Sequence, residues 1–221
     1  MESDKSGAAF NMALDEALLE AMPRLRQPVL RFYSWTEAAA SFGYFQKYAL
    51  VEQLTPLRPL IRRPTGGGIV PHNADWTYSL AFPPNHEWYA LSARDSYRRV
   101  HLWIQMAFER LNLRTELAPE SVKAGPGQCF VGHEQSDLLW RGGKIAGAAQ
   151  RRRRDGLLIQ GSVQPPLASL ERISWERAMR EAASASYGID WEQSSEDEAL
   201  RARAFELVEL KYSRPIYNMG R

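Results

Sequence analysis

Between residues 8 and 22, Phe10, Leu14 and Leu18 recur at helical spacing, with Ala13, Ala17 and Ala21 beside them. That period predicts an amphipathic helix ended by Pro23, which lacks an N–H and clashes with the preceding turn. Its small residues suit close packing against a sheet. Tyr97, Val100, Ile104, Phe108 and Leu111 predict a second helix. Leu200, Ala204, Leu207 and Val208 predict another, behind a Ser195/Glu198 capping box, and residues 170 to 186 a less regular one. Segments 29–35, 76–82, 136–140, 144–150 and 157–164 are short, aromatic or β-branched, and bounded by turn signals, which predicts strands.

Gly142-Gly143 and Asp155-Gly156 accept the positive φ of tight hairpins, so residues 136 to 164 read as an antiparallel meander. Lys144 opens its middle strand and Arg151 to Arg154 close it. Strict alternation puts Lys144, Ala146 and Ala148 on one face, and Ile145, Gly147 and Ala149 on the other. Lys144 is then either the one charge on a narrow shelf or an ordinary solvated side chain. A second stretch, RRPTGGGIVPH at 62 to 72, lets backbone N–H groups approach a ligand closely. It matches neither the phosphate loop nor the dinucleotide fingerprint. A flexible turn beside a solvated Arg62-Arg63 pair is the plainer reading.

The 221 residues are 44% hydrophobic and carry a formal charge of +2, without internal repeat or low-complexity linker. Residues 1–221 are therefore expected to form a single catalytic domain with no C-terminal accessory domain. No run approaches the roughly 18 apolar residues of a membrane span, and MESDKSGAAF is polar where a signal peptide is basic and apolar, so the expected localisation is cytoplasmic. One cysteine allows no internal disulfide, and the four histidines lack paired zinc spacing, so no metal is expected. The pI near 8.7 is mild, and nucleic acid is not the expected partner. The local basic patch is Arg151 to Arg154.

Cys129, the lone cysteine, stands in GPGQCF ahead of SDLLWRGGK. It is either a nucleophile within reach of Lys144 or a small core residue, and free cysteines are commonly buried.

The segments NMALDEALLE, VLRFYSWTEAAASFGYFQKY, RRPTGGGIVPHNADWTYSL and CFVGHEQSDLLWRGGKIAGAAQRRRRDGLLIQGSV, in that order, resemble the biotin/lipoate A/B protein ligase family over most of the chain. The resemblance implies an α+β fold, a central, mostly antiparallel sheet flanked by helices, related to the catalytic domain of class II aminoacyl-tRNA synthetases. It also implies a substrate: an octanoyl or lipoyl group delivered to a lysine of a lipoyl domain or a glycine-cleavage H protein, with acyl carrier protein as the expected donor.

Residue by residue, it makes Arg63, the Gly66, Gly67 and Gly68 loop and His72 the acyl-binding signature. Lys144 becomes the contact to the acyl carbonyl, and Gly147, Ala148 and Ala149 the wall beside the alkyl chain. Cys129-Phe130 ahead of Ser136-Asp137-Leu138 is similar to the cysteine-dependent octanoyltransferases of the Gram-positive type. These work through a thioester and need no cofactor. A free thiol is only about 3% thiolate at neutral pH, so a nearby ammonium gives Lys144 work as acid/base partner of Cys129. Two alternatives stand: a lipoate-protein ligase using ATP and Mg through an acyl-adenylate, and a non-catalytic lipoyl- or octanoyl-binding protein. The chain departs from the family pattern at Asn73, at Gln160, and in the third glycine of the loop. The arginines read either as a docking patch for acidic carrier domains or as a solvated turn.

Overall fold

The computed structural model describes residues 1, 5–122 and 132–220. Cys129 and Phe130 lie outside the described residues.

The predicted first helix is α1 (Ala8–Leu25), which carries Pro23 inside its last turn. It ends at Arg26, in the left-handed conformation at φ 59°, whose N–H returns to the Met22 carbonyl. Strand β1 (Val29–Tyr33) follows, then β2 (Ala39–Phe42), α2 (Tyr48–Val51), β3 (Leu60–Arg62) and β4 (Val70–His72). The chain continues through β5 (Trp76–Phe82), α3 (Glu87–Ala90), α4 (Ala93–Arg110), β6 (Glu116–Leu117), β7 (Leu138–Trp140), β8 (Gly143–Arg153) and β9 (Gly156–Val163). It closes with α5 (Arg172–Tyr187), α6 (Glu198–Leu207), a π-helical turn Val208–Tyr212, and α7 (Pro215–Met219). The cap of α6 is Asp197, whose Oδ1 accepts from the Leu200 N–H at 2.7 Å, and not Ser195 as the spacing predicts. Asp197 also holds Arg24 of α1 at 2.7 Å, a tertiary contact that no capping pattern encodes.

Six strands form one sheet in the order β1-β5-β9-β8-β7-β6, with antiparallel pairing throughout. This is the α+β architecture expected. Beside it sits a three-stranded sheet, β3-β2-β4, in which β2 runs parallel to β3 and antiparallel to β4. One face of the large sheet packs on α4 and α5 through Tyr78, Leu80, Ile159, Val163, Ile104 and Trp175. The other face receives α1, which is buried nearly all round and backed by α6.

The meander is as predicted, but each turn sits one residue earlier. Arg141 (φ 50°) and Gly142 (φ 78°) make the first turn, closed by the Trp140–Gly143 pair. Arg154 and Asp155 make the second, closed by Arg153–Gly156.

Register corrects one expectation. Leu139 faces Lys144 while Leu138 faces Ala146, so β8 carries an extra residue, Ile145, in a β-bulge. A bulge breaks strict alternation. Lys144 leaves the face of Ala146 and joins that of Gly147 and Ala149.

Candidate functional site

The open face of β8 and β9, the N-terminal half of α1 and the small sheet enclose a cleft holding about 480 Å³ of free space, part of it open to solvent. Its walls include Met12, Tyr33, Gly147, Ala149 and Gly161, and its polar groups come from Ser41, Arg63, His72, Lys144, Gln160 and Ser162. The wall is mostly apolar.

The glycine loop is built by Arg63, which is buried and not solvated. Its guanidinium donates to the Gly66 carbonyl at 2.6 and 3.1 Å, to the Gly68 carbonyl at 2.7 Å, and to Ser41 Oγ at 3.3 Å. Three donors in a rigid fork fix a loop that would otherwise be flexible. Gly67, at φ 86°, is the member that lines the cleft; Gly66 and Gly68 serve through their carbonyls. A side chain at Gly43 would meet the Gly67 carbonyl at 1.9 Å, so the two glycines let β2 and the loop touch. Arg62 is buried too, and donates to the carbonyls of Tyr44, Gln46, Tyr217 and Asn218 at 2.7 to 3.0 Å.

Lys144 is 7% exposed and paired with fully buried Asp137, Nζ to Oδ2 at 2.7 Å. Asp137 also accepts from the Glu134 N–H at 2.6 Å and from the Tyr97 hydroxyl on α4. Burial, and then the Asp137 charge, push the Tyr97 phenol well up, so it stays a donor. An idealised Cβ at Gly147 would fall 2.7 Å from Lys144 Cε and 2.8 Å from Nζ: the lysine occupies the space that glycine leaves open. Ala148 borders the cleft, yet it also packs against the α4/α5 core, so the part of the wall that β8 supplies is chiefly Gly147 and Ala149.

His72 has both ring nitrogens engaged, Nδ1 with Asp75 Oδ2 at 2.8 Å and Nε2 with Ser41 Oγ at 2.8 Å. Its ring stacks on Trp35, with centroids 3.9 Å apart. Asp75 accepts further from Thr77 Oγ1 at 3.0 Å and Ser162 Oγ at 2.7 Å. Burial raises the Asp75 carboxyl, but the charge and hydrogen bond of His72 and the two hydroxyls outweigh it and hold the group below its ordinary value. Gln160, the departure from the family pattern, accepts from Thr65 Oγ1 at 2.7 Å and donates to Asp15 Oδ2 at 2.7 Å. It joins the loop to the fully buried Asp15–Arg31 pair, 2.8 Å long.

The structure thus gathers Arg63, Gly67, His72, Lys144, Gly147, Ala148 and Ala149 around one cleft, with Gly66 and Gly68 behind the loop. Sequence reasoning missed Ser41, Asp75, Tyr97 and the pairing of Asp137 with Lys144. Asp75 stands three residues after His72, a spacing that was available; Ser41, inside AASF, carries no local signal. Among the described residues, no group of three or more His, Cys, Asp or Glu is placed to hold a metal ion. Nor is any of their helices long and apolar enough to cross a membrane.

The four arginines divide by strand alternation. Arg151 donates to the Pro64 carbonyl at 2.9 Å and lies over Tyr44; Arg153 pairs with Glu16 at 3.0 Å. Arg152 and Arg154 are exposed. The patch is half structural.

Residues 7–187 match the family described as the lipoyl protein ligase A/B catalytic domain. The chain is 38% identical over 169 residues to octanoyltransferase LipM of Oceanobacillus iheyensis, covering 74% of this chain and 62% of that protein. It is 35% identical over 176 residues to octanoyltransferase LipM of Bacillus subtilis, covering 74% and 63%. The chain therefore spans a little over three fifths of the length of these curated relatives. A crystal structure of lipoate-protein ligase A bound with ATP superposes with a TM-score of 0.78 over 100% of this chain and 96% of that one. At 21% identity, that likeness shows the shared fold alone.

Proposed function

The chain belongs to the lipoyl protein ligase A/B catalytic-domain family, and from that premise we propose that it is an acyltransferase. It moves an octanoyl or lipoyl group from an acyl carrier to a lysine of a lipoyl domain or H protein, in the cytoplasm and without a cofactor. The observation that carries the reading is one cleft with an apolar wall at Gly147 and Ala149, and the Lys144 ammonium beside it. The tail lies along that wall, and the carbonyl meets a cation where negative charge develops. Cys129, outside the described residues, is the proposed nucleophile: its thiolate attacks the donor thioester, and the acyl group rests on sulfur until the acceptor amine takes it. The octanoyltransferase relatives support transfer over ligation.

The test is incubation with octanoyl carrier protein and an apo lipoyl domain, with and without ATP and Mg²⁺, read by mass. Octanoylation of the domain without ATP is expected. Modification that needs ATP and free octanoate would replace the transferase by the ligase, and none under any condition would leave a binding protein.

A further inference from the structure

Lysine is a poor nucleophile as it arrives, because its ammonium must lose a proton before nitrogen can attack. Lys144 is already engaged, its Nζ 2.7 Å from the Asp137 carboxylate, and the acid/base work proposed for it is on the thiol. The same cleft holds a chain of groups arranged to accept a proton. Asp75, receiving three hydrogen bonds, accepts from His72 Nδ1–H, so that in the neutral imidazole Nε2 carries the lone pair. Ser41 Oγ–H then donates to Nε2 across 2.8 Å. The Ser41 oxygen has two lone pairs; Arg63 takes one at 3.3 Å, and the other is available to a group in the cleft.

We propose that Ser41, His72 and Asp75 form the proton relay that deprotonates the acceptor amine. This rests on the reading above, that an acyl group is moved onto an amine. Ser41 takes one proton from the ammonium while passing its own to His72 Nε2, and Asp75 stabilises the imidazolium that results. The neutral amine attacks the acyl carbonyl carbon and the C–S bond breaks. The second proton of the nitrogen replaces one that Lys144 gives to the leaving thiolate. One proton thus reaches solvent through His72, and one ends on the thiol. Ser41 acts on the substrate; His72 acts through Ser41, and Asp75 positions His72.

Two small amines separate this role from a structural one. Hydroxylamine is largely unprotonated at neutral pH and needs no base, whereas Nα-acetyl-lysine amide, with lysine's pKa of about 10.4, does. The octanoyl-enzyme is formed from a small octanoyl thioester, and its discharge to each amine is timed. In His72→Asn and in Ser41→Ala, the ratio of the lysine amide rate to the hydroxylamine rate should fall about 100-fold or more. A ratio unchanged in either variant overturns the relay. Because hydroxylamine also cleaves the thioester of an unfolded protein, the rate on denatured octanoyl-protein is subtracted and both variants are matched to the parent by circular dichroism; a ratio that then stays at the parent value overturns the relay. If the unmodified protein forms no octanoyl-enzyme, the thioester reading fails, and the same ratio is read with octanoate, ATP and Mg²⁺. Transfer to neither amine by either route overturns both.

Discussion

Lys144 Nζ lies 2.7 Å from Asp137 Oδ2 in a nearly water-free corner of the cleft. The Lys144 cation comes with its own counter-ion, which Tyr97 and the Glu134 amide hold in place. Removing one partner leaves a buried charge uncompensated. Asp137→Asn should cost about 3–5 kcal/mol of stability. Lys144→Met in the same chain should recover much of that loss, in denaturant titrations of the single and double variants. Equal losses in the two would mean that the pair is not coupled.

The Lys144 side chain fits because residue 147 has none. In Gly147→Ala, a methyl group appears less than 3 Å from Cε and Nζ, and the amine must shift. Transfer should fall at least tenfold while the circular dichroism spectrum and binding of an octanoyl analogue persist. Gly147→Leu should abolish analogue binding as well; full affinity in that variant would remove Gly147 from the acyl wall.

His101 reports on the core behind this corner. Its Nδ1–H donates to the Tyr97 carbonyl at 2.9 Å, Nε2 has no partner among the described residues, and burial pushes its pKa down to about 4, against the opposing pull of Asp137. The folded state holds the imidazole neutral, and the unfolded state takes up a proton below about 6.5. Stability is therefore full above about pH 6.5, falls as pH drops, and stops falling from this source near pH 4, by about 3 kcal/mol in all. His101→Leu should flatten that segment of the stability–pH curve; an unchanged slope would place the loss elsewhere.

The arginine run, solvated or docking as read from spacing, is split by its strand. Arg152→Gln with Arg154→Gln should flatten the salt dependence of transfer from a carrier protein and spare small thioesters. Arg153→Gln should instead lower stability by about 1–3 kcal/mol, because Glu16 is 3% exposed and loses one of its partners. A uniform effect of all these changes would contradict the division.

Long periodic elements were legible. α1, α4 and the β8–β9 hairpin bury whole faces, and burial writes the period into the sequence. The small sheet was not, because β3 and β4 are three residues each, too short for a period to register. The bulge at Ile145 was invisible for a different reason: the extra residue is apolar and packs in the core, so nothing in KIAGAA marks the break. Site residues with unusual backbones, the glycines, were readable, whereas Ser41 and Asp75 gain meaning only when β2 and β4 pair and bring residue 41 to residue 72. Arg63 came from the family resemblance, as part of an acyl-binding signature, and in the structure its guanidinium holds the loop.

Cys129 remains the sharpest test, since composition and spacing leave it open between nucleophile and core residue. Cys129→Ser changes one atom, too little to open a damaging cavity. A packing cysteine would leave transfer within a few-fold of the parent. A nucleophilic one would not: the serine hydroxyl is far less acidic than a thiol, transfer should collapse, and the octanoyl mass on the protein, labile to hydroxylamine, should disappear. Lys144→Ala should keep that adduct but form it more slowly, because in the proposed mechanism Lys144 supplies the thiolate's cation and the leaving thiol's proton. It also strands Asp137, so Lys144→Arg is the needed companion: it keeps the charge and the ion pair but is a far weaker proton donor. Parent-like folding with slow acylation in Lys144→Arg would assign the lysine to proton transfer. Parent-like acylation would reduce it to electrostatics. Near-parent transfer by Cys129→Ser would return the cysteine to the core and put the ATP-dependent ligase first.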